Sequence, residues 1–229
     1  MLPSAFLIAV FEFVLLIFSL SFHECAHAWM ASLLGDHTAR REGRVTLNPM
    51  YHVDPIGTLL FPALMIFGPL LGGGALSGYL IGWAKPTPVI TRNFRKIKRD
   101  EMLVTLAGPF SNLLLVLFAF IGMVVILMSQ GHLPQDASLS SNVEALWTLC
   151  ELGVRVNLAL FFFNLLPIPP LDGSRVVRNL LPYNALSAYD RMGFFSYMLM
   201  FILGGPIVRF FMGPSLHLIQ LGLSLVPVH

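Results

Sequence analysis

The sequence predicts an all-α polytopic membrane protein, and three observations point to this class. Of the 229 residues, 56% are hydrophobic and only 11% are charged, whereas a soluble domain is roughly 25% charged. The mean hydropathy is +0.76. Several apolar runs also reach the about 20 residues that a helix needs to cross a bilayer. This composition excludes a soluble globule, and it excludes a disordered chain, which combines low hydrophobicity with high charge.

Charge and cysteine content exclude two further classes. The net charge is only +2, and the basic residues cluster in short segments, which is typical of membrane-flanking loops rather than of a nucleic-acid-binding surface. The two cysteines, Cys25 and Cys150, do not have the spacing of a secreted disulfide scaffold. We therefore expect the lipid bilayer as a partner, and no nucleic acid.

The first apolar run, Leu2–Phe22, is interrupted only by Glu12. No lysine or arginine precedes Arg40, so the run lacks the basic start of a signal peptide. We predict a permanent helix that continues to Leu34, where a glycine and an aspartate end it. Three further spans are predicted, and a Gly-Gly-Pro interruption at residues 204–206 divides the last of them into two elements. These spans are Met102–Met128, Leu146–Leu166 and Met192–Val226.

The distribution of basic residues predicts the topology. Lysine and arginine occur in residues 35–55, 84–101 and 167–191 but not in 130–145, so the first three segments are expected in the cytoplasm. The apolar segment Ile56–Trp83 lies between two cytoplasmic segments, and it must cross an even number of times or return. Its prolines and glycines favour a re-entrant hairpin, which is tolerated where protein or a cavity satisfies the backbone.

The sequence His-Glu-Cys-Ala-His at residues 23–27 is the main candidate for a catalytic site. Residues four apart share a helix face, so His23 and His27 can bind one metal ion. Glu24 then lies beside the metal, where a general base acting on water is expected. Two histidines with ordinary hydrogen-bond partners are the alternative, but ionisable residues in a lipid-spanning helix are costly and usually functional.

Asp172 is the candidate third ligand. It follows the prolines that end the third span, and the charge pattern places it near the same membrane face as the two histidines. On spacing alone, it fits equally well as the N-cap of a helix from Ser174 to Leu181.

In these residues and the motifs around them, the chain resembles the site-2 protease family of intramembrane zinc metalloproteases. The resemblance rests on HECAH at 23–27, Ala-Gly-Pro at 107–109 with Asn112, and NLLPIPPLDG at 164–173. Two further segments, LNPMYH at 47–52 and GWAKP at 82–86, are similar to the small, compact branch of the family, which lacks PDZ and CBS domains.

The resemblance implies a function and a set of roles. His23, His27 and Asp172 match the ligands of one Zn²⁺ per chain, Glu24 matches the catalytic base, and Asn164 matches an asparagine proposed to steady the substrate or the oxyanion. The implied fold is a three-helix catalytic core with peripheral helices. The implied reaction is hydrolysis of a peptide bond in or near the transmembrane helix of a single-span membrane protein, as in regulated intramembrane proteolysis. The site is expected on the cytoplasmic side of a prokaryotic cell membrane.

We expect one integral-membrane domain over residues 1–229. Its parts are the HExxH helix (1–34), a β or re-entrant insertion (35–101), the rest of the catalytic core (102–182) and C-terminal helices (183–229). Within the insertion, Arg44–Leu47 and Pro86–Ile90 have β-leaning or extended sequences. Either could pair with an unwound substrate by β-augmentation, although both also fit ordinary cytoplasmic loops.

Three other polar residues are candidates for supporting roles. Asn112 could orient a metal ligand from the neighbouring helix. His52 could return to the site as a gate or donor, or could simply be an interfacial histidine. Glu12 lies about 20° from the face of His23 and about 16 Å along the helix, so it could line a water path or reach the outer interface.

Two alternative functions remain open on the sequence. Membrane zinc proteases that trim prenylated peptides also use HExxH, but their third ligand is usually a downstream glutamate, and none follows Glu151. A metal transporter or channel is the non-enzymatic alternative, and it would need polar residues spread through the bilayer depth. The oligomeric state is not predicted.

Overall fold

The computed structural model describes residues 4–72, 83–130, 142–191 and 193–227, and the regular structure in these ranges is helical, without strands. Short single turns lie at Pro49–Tyr51, Pro55–Leu60, Gly68–Leu71 and Thr91–Asn93. The α-helices are α1 (Ser4–Leu33), α2 (Thr38–Arg41), α3 (Phe61–Phe67), α4 (Ile97–Gln130), α5 (Asn142–Asn164), α6 (Asp172–Leu180), α7 (Tyr183–Asp190) and α8 (Gly193–Ser224).

Four helices are long and apolar enough to cross a membrane: α1, α4, α5 and the Met198–Ser224 part of α8. The protein is therefore an integral, polytopic membrane protein, as predicted. The expected division of the last span is wrong, because α8 is continuous and contains Pro206 and Pro214. Prolines are tolerated in transmembrane helices because neighbouring groups re-satisfy the freed backbone carbonyls.

The helices α1, α4 and α5 pack against one another and form the centre of the molecule. Leu16 and Leu20 of α1 meet Val156 and Leu160 of α5 in one apolar cluster. Towards the cytoplasmic end predicted for α1, the same interface becomes polar. The buried polar side chains there include Ser19, Ser21, His23, His27, Asn112 and Asn157.

The segment that begins at Pro55 has its two ends close together, because Trp83 lies beside the first turn after Pro55. The backbone N–H of Trp83 donates to the Gly57 carbonyl at 3.1 Å, and the Thr58 hydroxyl donates to the Trp83 carbonyl at 2.7 Å. The Trp83 ring lies directly over Gly57, where a β-carbon would clash. The predicted re-entrant path falls partly on residues 73–82, which lie outside the described residues.

Neither β-leaning segment forms a strand in the described part of the chain. In Pro86–Ile90 the two prolines lack an N–H, so a regular ladder is not available. The Arg44 guanidinium instead donates to the Tyr51 carbonyl, which shapes Arg44–Leu47 as part of a compact loop.

Asp36, just after α1, forms hydrogen bonds with the loop that follows Trp83 and with the start of α2. Its fully buried carboxylate accepts hydrogen bonds from Ile90 N at 2.7 Å, Asn93 Nδ2 at 2.9 Å and the Thr38 hydroxyl at 2.6 Å. Burial raises the pKa of Asp36, but these hydrogen bonds outweigh it and hold the pKa below its usual value. The charged form thus fixes the loop that follows Trp83 against the helix that carries the HExxH sequence.

Candidate metal centre

Three side chains converge where α1, α4 and α6 meet. His23 Nε2 lies 3.0 Å from Asp172 Oδ2, His27 Nε2 lies 3.2 Å from the same oxygen, and the two Nε2 atoms are 3.0 Å apart. Both histidines are buried, with 3% and 6% of their surface exposed. Among the described residues, these three form the group of side chains able to hold a metal ion.

The tautomer of His27 follows from its partner on α4. His27 Nδ1 lies 2.7 Å from the backbone carbonyl of Val104. A carbonyl only accepts hydrogen bonds, so Nδ1 carries the proton. In the neutral imidazole, Nε2 of His27 is therefore the ring nitrogen that presents a lone pair towards Asp172 and His23.

The tautomer of His23 is fixed by a longer chain of side-chain amides. Asn157 Nδ2 donates to the Gly153 carbonyl at 2.9 Å, so Asn157 Oδ1 is left to accept from Asn112 Nδ2, also at 2.9 Å. Asn112 Oδ1 then faces His23 Nδ1 at 2.6 Å and must accept its proton. In the neutral imidazole of His23, Nε2 is consequently the nitrogen with the lone pair as well.

This arrangement is complementary to a cation. Two imidazole lone pairs and a carboxylate face one another at 3.0–3.2 Å, which is repulsive unless positive charge lies between them. Ligand atoms this close together can share one ion, and small shifts would bring them to the about 2.0–2.2 Å bonds of zinc. Two histidines and a carboxylate are a donor set that suits a catalytic zinc site with an open position.

Gly108 of α4 provides the space beside this group. A β-carbon at residue 108 would lie 2.3 Å from His27 Nε2 and 2.5 Å from His23 Nε2. Any side chain at this position would enter the volume next to both ligand atoms. The glycine of the Ala-Gly-Pro sequence is thus explained by contact with the two histidines as well as by close helix packing.

Asp172 is positioned by a tight turn at the start of α6. The helix begins at Asp172 itself, and the residue at its N-cap is Leu171, with no side-chain cap. Asp172 faces the two histidines instead, so the alternative interpretation as an N-cap does not hold. Gly173 makes the turn possible, because a β-carbon there would lie 2.2 Å from the Leu165 carbonyl oxygen.

Glu24 directly follows His23 on α1, and the loop that follows Trp83 donates hydrogen bonds to its carboxylate. Its Oε2 atom accepts hydrogen bonds from the backbone N–H of Thr87 at 3.0 Å and from the Thr87 hydroxyl at 2.8 Å. The carboxylate of Glu24 is thus hydrogen-bonded to the loop that contains Thr87.

The other predicted residues lie outside the three-ligand group. Asn164 is partly buried at the end of α5, and its amide donates to the Leu160 carbonyl at 3.0 Å. His52 is 1% exposed and lies 2.9 Å from the Thr46 carbonyl through Nε2, while its Nδ1 has no hydrogen-bond partner among the described residues. Glu12 is half-buried in α1, with no ion-pair partner in the described ranges.

Two contributors were missed by sequence reasoning. Asn157 carries a signal that could have identified it, because an asparagine within an apolar span requires a partner. Thr87 lies between two prolines in a loop, and nothing in its local sequence indicates a contact with α1.

The fold and this site define a class: an integral membrane protein with a buried His-His-Asp group able to hold a metal ion, in a helix that carries HExxH. Comparison with known proteins agrees with that class. The model of Peptidase family M50 matches residues 125–205. “Putative zinc metalloprotease YwhC” of Bacillus subtilis is 36% identical over 208 residues, covering 89% of this chain and 84% of that protein.

The chain thus belongs to the M50 peptidases, the site-2 protease family of membrane zinc metalloproteases. It is also similar to the mycobacterial proteins named Rip2. The identity is 32% over 155 residues in Mycolicibacterium smegmatis and 33% over 158 residues in Mycobacterium tuberculosis, each covering 68% of this chain. The chain spans about half (51%) of the length of Rip2. No solved structure matches it.

Proposed function

We propose that His23, His27 and Asp172 hold the Zn²⁺ of this intramembrane metalloendopeptidase and that Glu24 is its general base. The observation that carries the proposal is the convergence of two Nε2 lone pairs and one carboxylate oxygen within 3.2 Å. A fixed tautomer on each histidine supports it, since a metal ligand normally donates its other N–H to a carbonyl or a similar acceptor.

The chain's own groups account for the proton transfers of peptide hydrolysis. A zinc ion in this site supplies Lewis acidity, which polarises the scissile carbonyl and activates water near pH 7. Glu24 accepts the proton of the attacking water and later delivers it to the leaving amine. Asn164 donates to the developing oxyanion through the second N–H of its side-chain amide, since the Leu160 carbonyl takes one of the two. Such a donor is worth about 3 kcal/mol in other proteases.

The substrates we propose are single-span membrane proteins, cut in or near the transmembrane helix on the cytoplasmic side. Basic residues in the segments next to Glu24 and Asp172 support this side of the membrane. A substrate helix must unwind to expose its peptide bond, and we place the unwound segment beside Pro86–Ile90, a non-helical segment that contacts Glu24. We propose that these elements, within one domain over residues 1–229, serve regulated intramembrane proteolysis in a prokaryotic cell membrane.

The experiment that tests the proposal compares the purified protein with Glu24→Gln. Both are mixed in liposomes with a panel of single-span substrates, and bound zinc is measured by elemental analysis. We expect about one zinc per chain in both proteins, and cleavage slower in the variant by about 10²–10⁴-fold, the usual contribution of a general base.

Glu42→Gln is the matched control, because Glu42 is an exposed glutamate of the loop that follows α1. It should cleave like the unchanged protein. Equal cleavage by Glu24→Gln would contradict the assignment of the base. Absence of zinc from the unchanged protein would contradict the ligand assignment.

A second prediction concerns Asn112, which we propose fixes the tautomer of His23. Asn112→Leu has nearly the same volume but leaves His23 Nδ1 and Asn157 Oδ1 without partners. We expect zinc affinity, measured by competition with a chelator, to fall about 10–100-fold. Thr148→Val is the control, since Thr148 is buried on α5 without a hydrogen-bond partner for its hydroxyl among the described residues. An affinity unchanged in Asn112→Leu would contradict the proposed role.

A further inference from the structure

Thr87 makes three polar contacts with Glu24. Its backbone N–H and its hydroxyl both lie within hydrogen-bond distance of Glu24 Oε2, at 3.0 and 2.8 Å. The same hydroxyl lies 3.1 Å from the Glu24 backbone carbonyl. The residue is 8% exposed, so these contacts are sheltered from water.

Both hydrogen bonds to the carboxylate reach the same oxygen. Within the described residues, no hydrogen bond reaches Oε1 of Glu24. One carboxylate oxygen is thus fixed to the protein, while the other stays available to a proton. A general base needs this combination of a defined orientation and a free lone pair.

The local sequence prepares Thr87 for this contact. Pro86 and Pro88 have no N–H, so the Thr87 amide is the single backbone donor of the three residues. A residue before proline is also restricted to extended conformations. The Pro-Thr-Pro sequence therefore presents one N–H and one hydroxyl from a stiff, extended backbone.

The loop is fastened on both sides of Thr87. On one side, the Lys85 N–H donates to the His52 carbonyl at 2.8 Å. On the other, Ile90 and Asn93 donate to the buried carboxylate of Asp36, directly after α1. These contacts hold the position of Thr87 relative to the helix that carries Glu24.

We propose that Thr87 is a positioning residue for catalysis: it anchors Oε2 of Glu24 so that Oε1 receives the proton of the attacking water. This inference rests on the proposed role of Glu24 as the base. The water O–H bond breaks as the Oε1–H bond forms and as the water oxygen bonds to the scissile carbonyl carbon. When the C–N bond breaks, the same proton passes from Oε1 to the leaving amine nitrogen. Throughout both transfers Thr87 keeps its own protons.

A role limited to holding the loop predicts a different outcome from a role in positioning the base. A merely structural contact would alter stability or substrate affinity when lost. A contact that orients the base affects the chemical step, so kcat falls while KM changes little.

The test uses Thr87→Val, which keeps the shape and the backbone N–H but removes the hydroxyl, and Thr87→Ser, which keeps the hydroxyl. Thr91→Val is the matched control, since Thr91 is an exposed threonine of the same loop. Cleavage of a single-span substrate, bound zinc and thermal stability are measured for each protein.

For Thr87→Val we expect kcat lower by about 10–100-fold, because small misplacements of catalytic groups have effects of this size. KM should stay within about twofold, and zinc should be retained.

The conservative variant and a double variant complete the test. Thr87→Ser should retain most of the kcat, and Thr91→Val all of it. Adding Thr87→Val to Glu24→Gln should cause little further loss, since residues that act as a unit are not additive. An unchanged kcat, a rise in KM alone, or loss of zinc from Thr87→Val would overturn the inference. If Glu24→Gln itself kept full activity, the proposed function would fail first, and the two failures are therefore distinguishable.

Discussion

Replacing Gly108 by alanine is expected to remove the zinc ion while the helices stay folded. The new methyl group would lie 2.3 and 2.5 Å from the two histidine Nε2 atoms, well inside van der Waals contact. The imidazoles must then turn away from Asp172, and the ligand set is lost. We expect bound zinc to fall below about 0.1 per chain and cleavage to fall by more than about 100-fold, because loss of ligands exceeds the effect of second-sphere changes.

The loss of zinc and of cleavage in Gly108→Ala should not come from a destabilised helix. Alanine is favoured over glycine in a helix by about 1 kcal/mol, so the backbone of α4 gains intrinsic stability. Gly153→Ala is the matched control: among the described residues, a β-carbon there meets the Ala119 side chain alone, at 3.4 Å. Elemental analysis, cleavage assays and circular dichroism of both variants distinguish loss of zinc from loss of helical structure. Full zinc content in Gly108→Ala would mean that the space beside the histidines is not the metal site.

Asp172→Asn is expected to have an effect of similar size through charge rather than through volume. The amide is isosteric, but it removes the single negative charge among the three predicted ligands. Its oxygen is a weaker ligand for zinc than a carboxylate. We again expect zinc below about 0.1 per chain and activity lower by more than about 100-fold.

Thermal unfolding separates metal loss from misfolding in this variant. Zinc that binds the native state raises the melting temperature of the unchanged protein, and a chelator should remove that increment. Asp172→Asn should melt close to the chelated protein and should not respond to added zinc. Asp190→Asn is the control, because Asp190 is an exposed aspartate that pairs with Arg178 at 3.0 Å, away from the histidines. Zinc-dependent stabilisation of Asp172→Asn would contradict its role as a ligand.

The membrane fold could be predicted from the sequence because hydropathy along a single helix decides it. The four spans, including α1 with the HExxH sequence, all lie where the apolar runs indicated them. The continuity of α8 through residues 204–206 could not be predicted in the same way. Whether a proline breaks a helix depends on which neighbouring groups satisfy the freed carbonyl, and that is a property of packing.

The site was predictable to the extent that its parts are local in sequence. The four-residue spacing of His23 and His27 defines one helix face, and the proline-rich segment indicates Asp172. Long-range contacts carry no such signal. Asn157 meets Asn112 across 45 residues, and Thr87 meets Glu24 across 63. Each pair forms only because tertiary packing brings two helices, or a helix and a loop, into contact at those residues.

The separation of the proposed metal ligands along the chain has a consequence for biosynthesis. His23 and His27 lie near the start, whereas Asp172 follows them by 149 and 145 residues. Translation therefore produces the HExxH helix long before the proposed third ligand. Under the proposed assignment, the zinc site cannot be complete until translation has passed residue 172 and α6 has packed against α1 and α4.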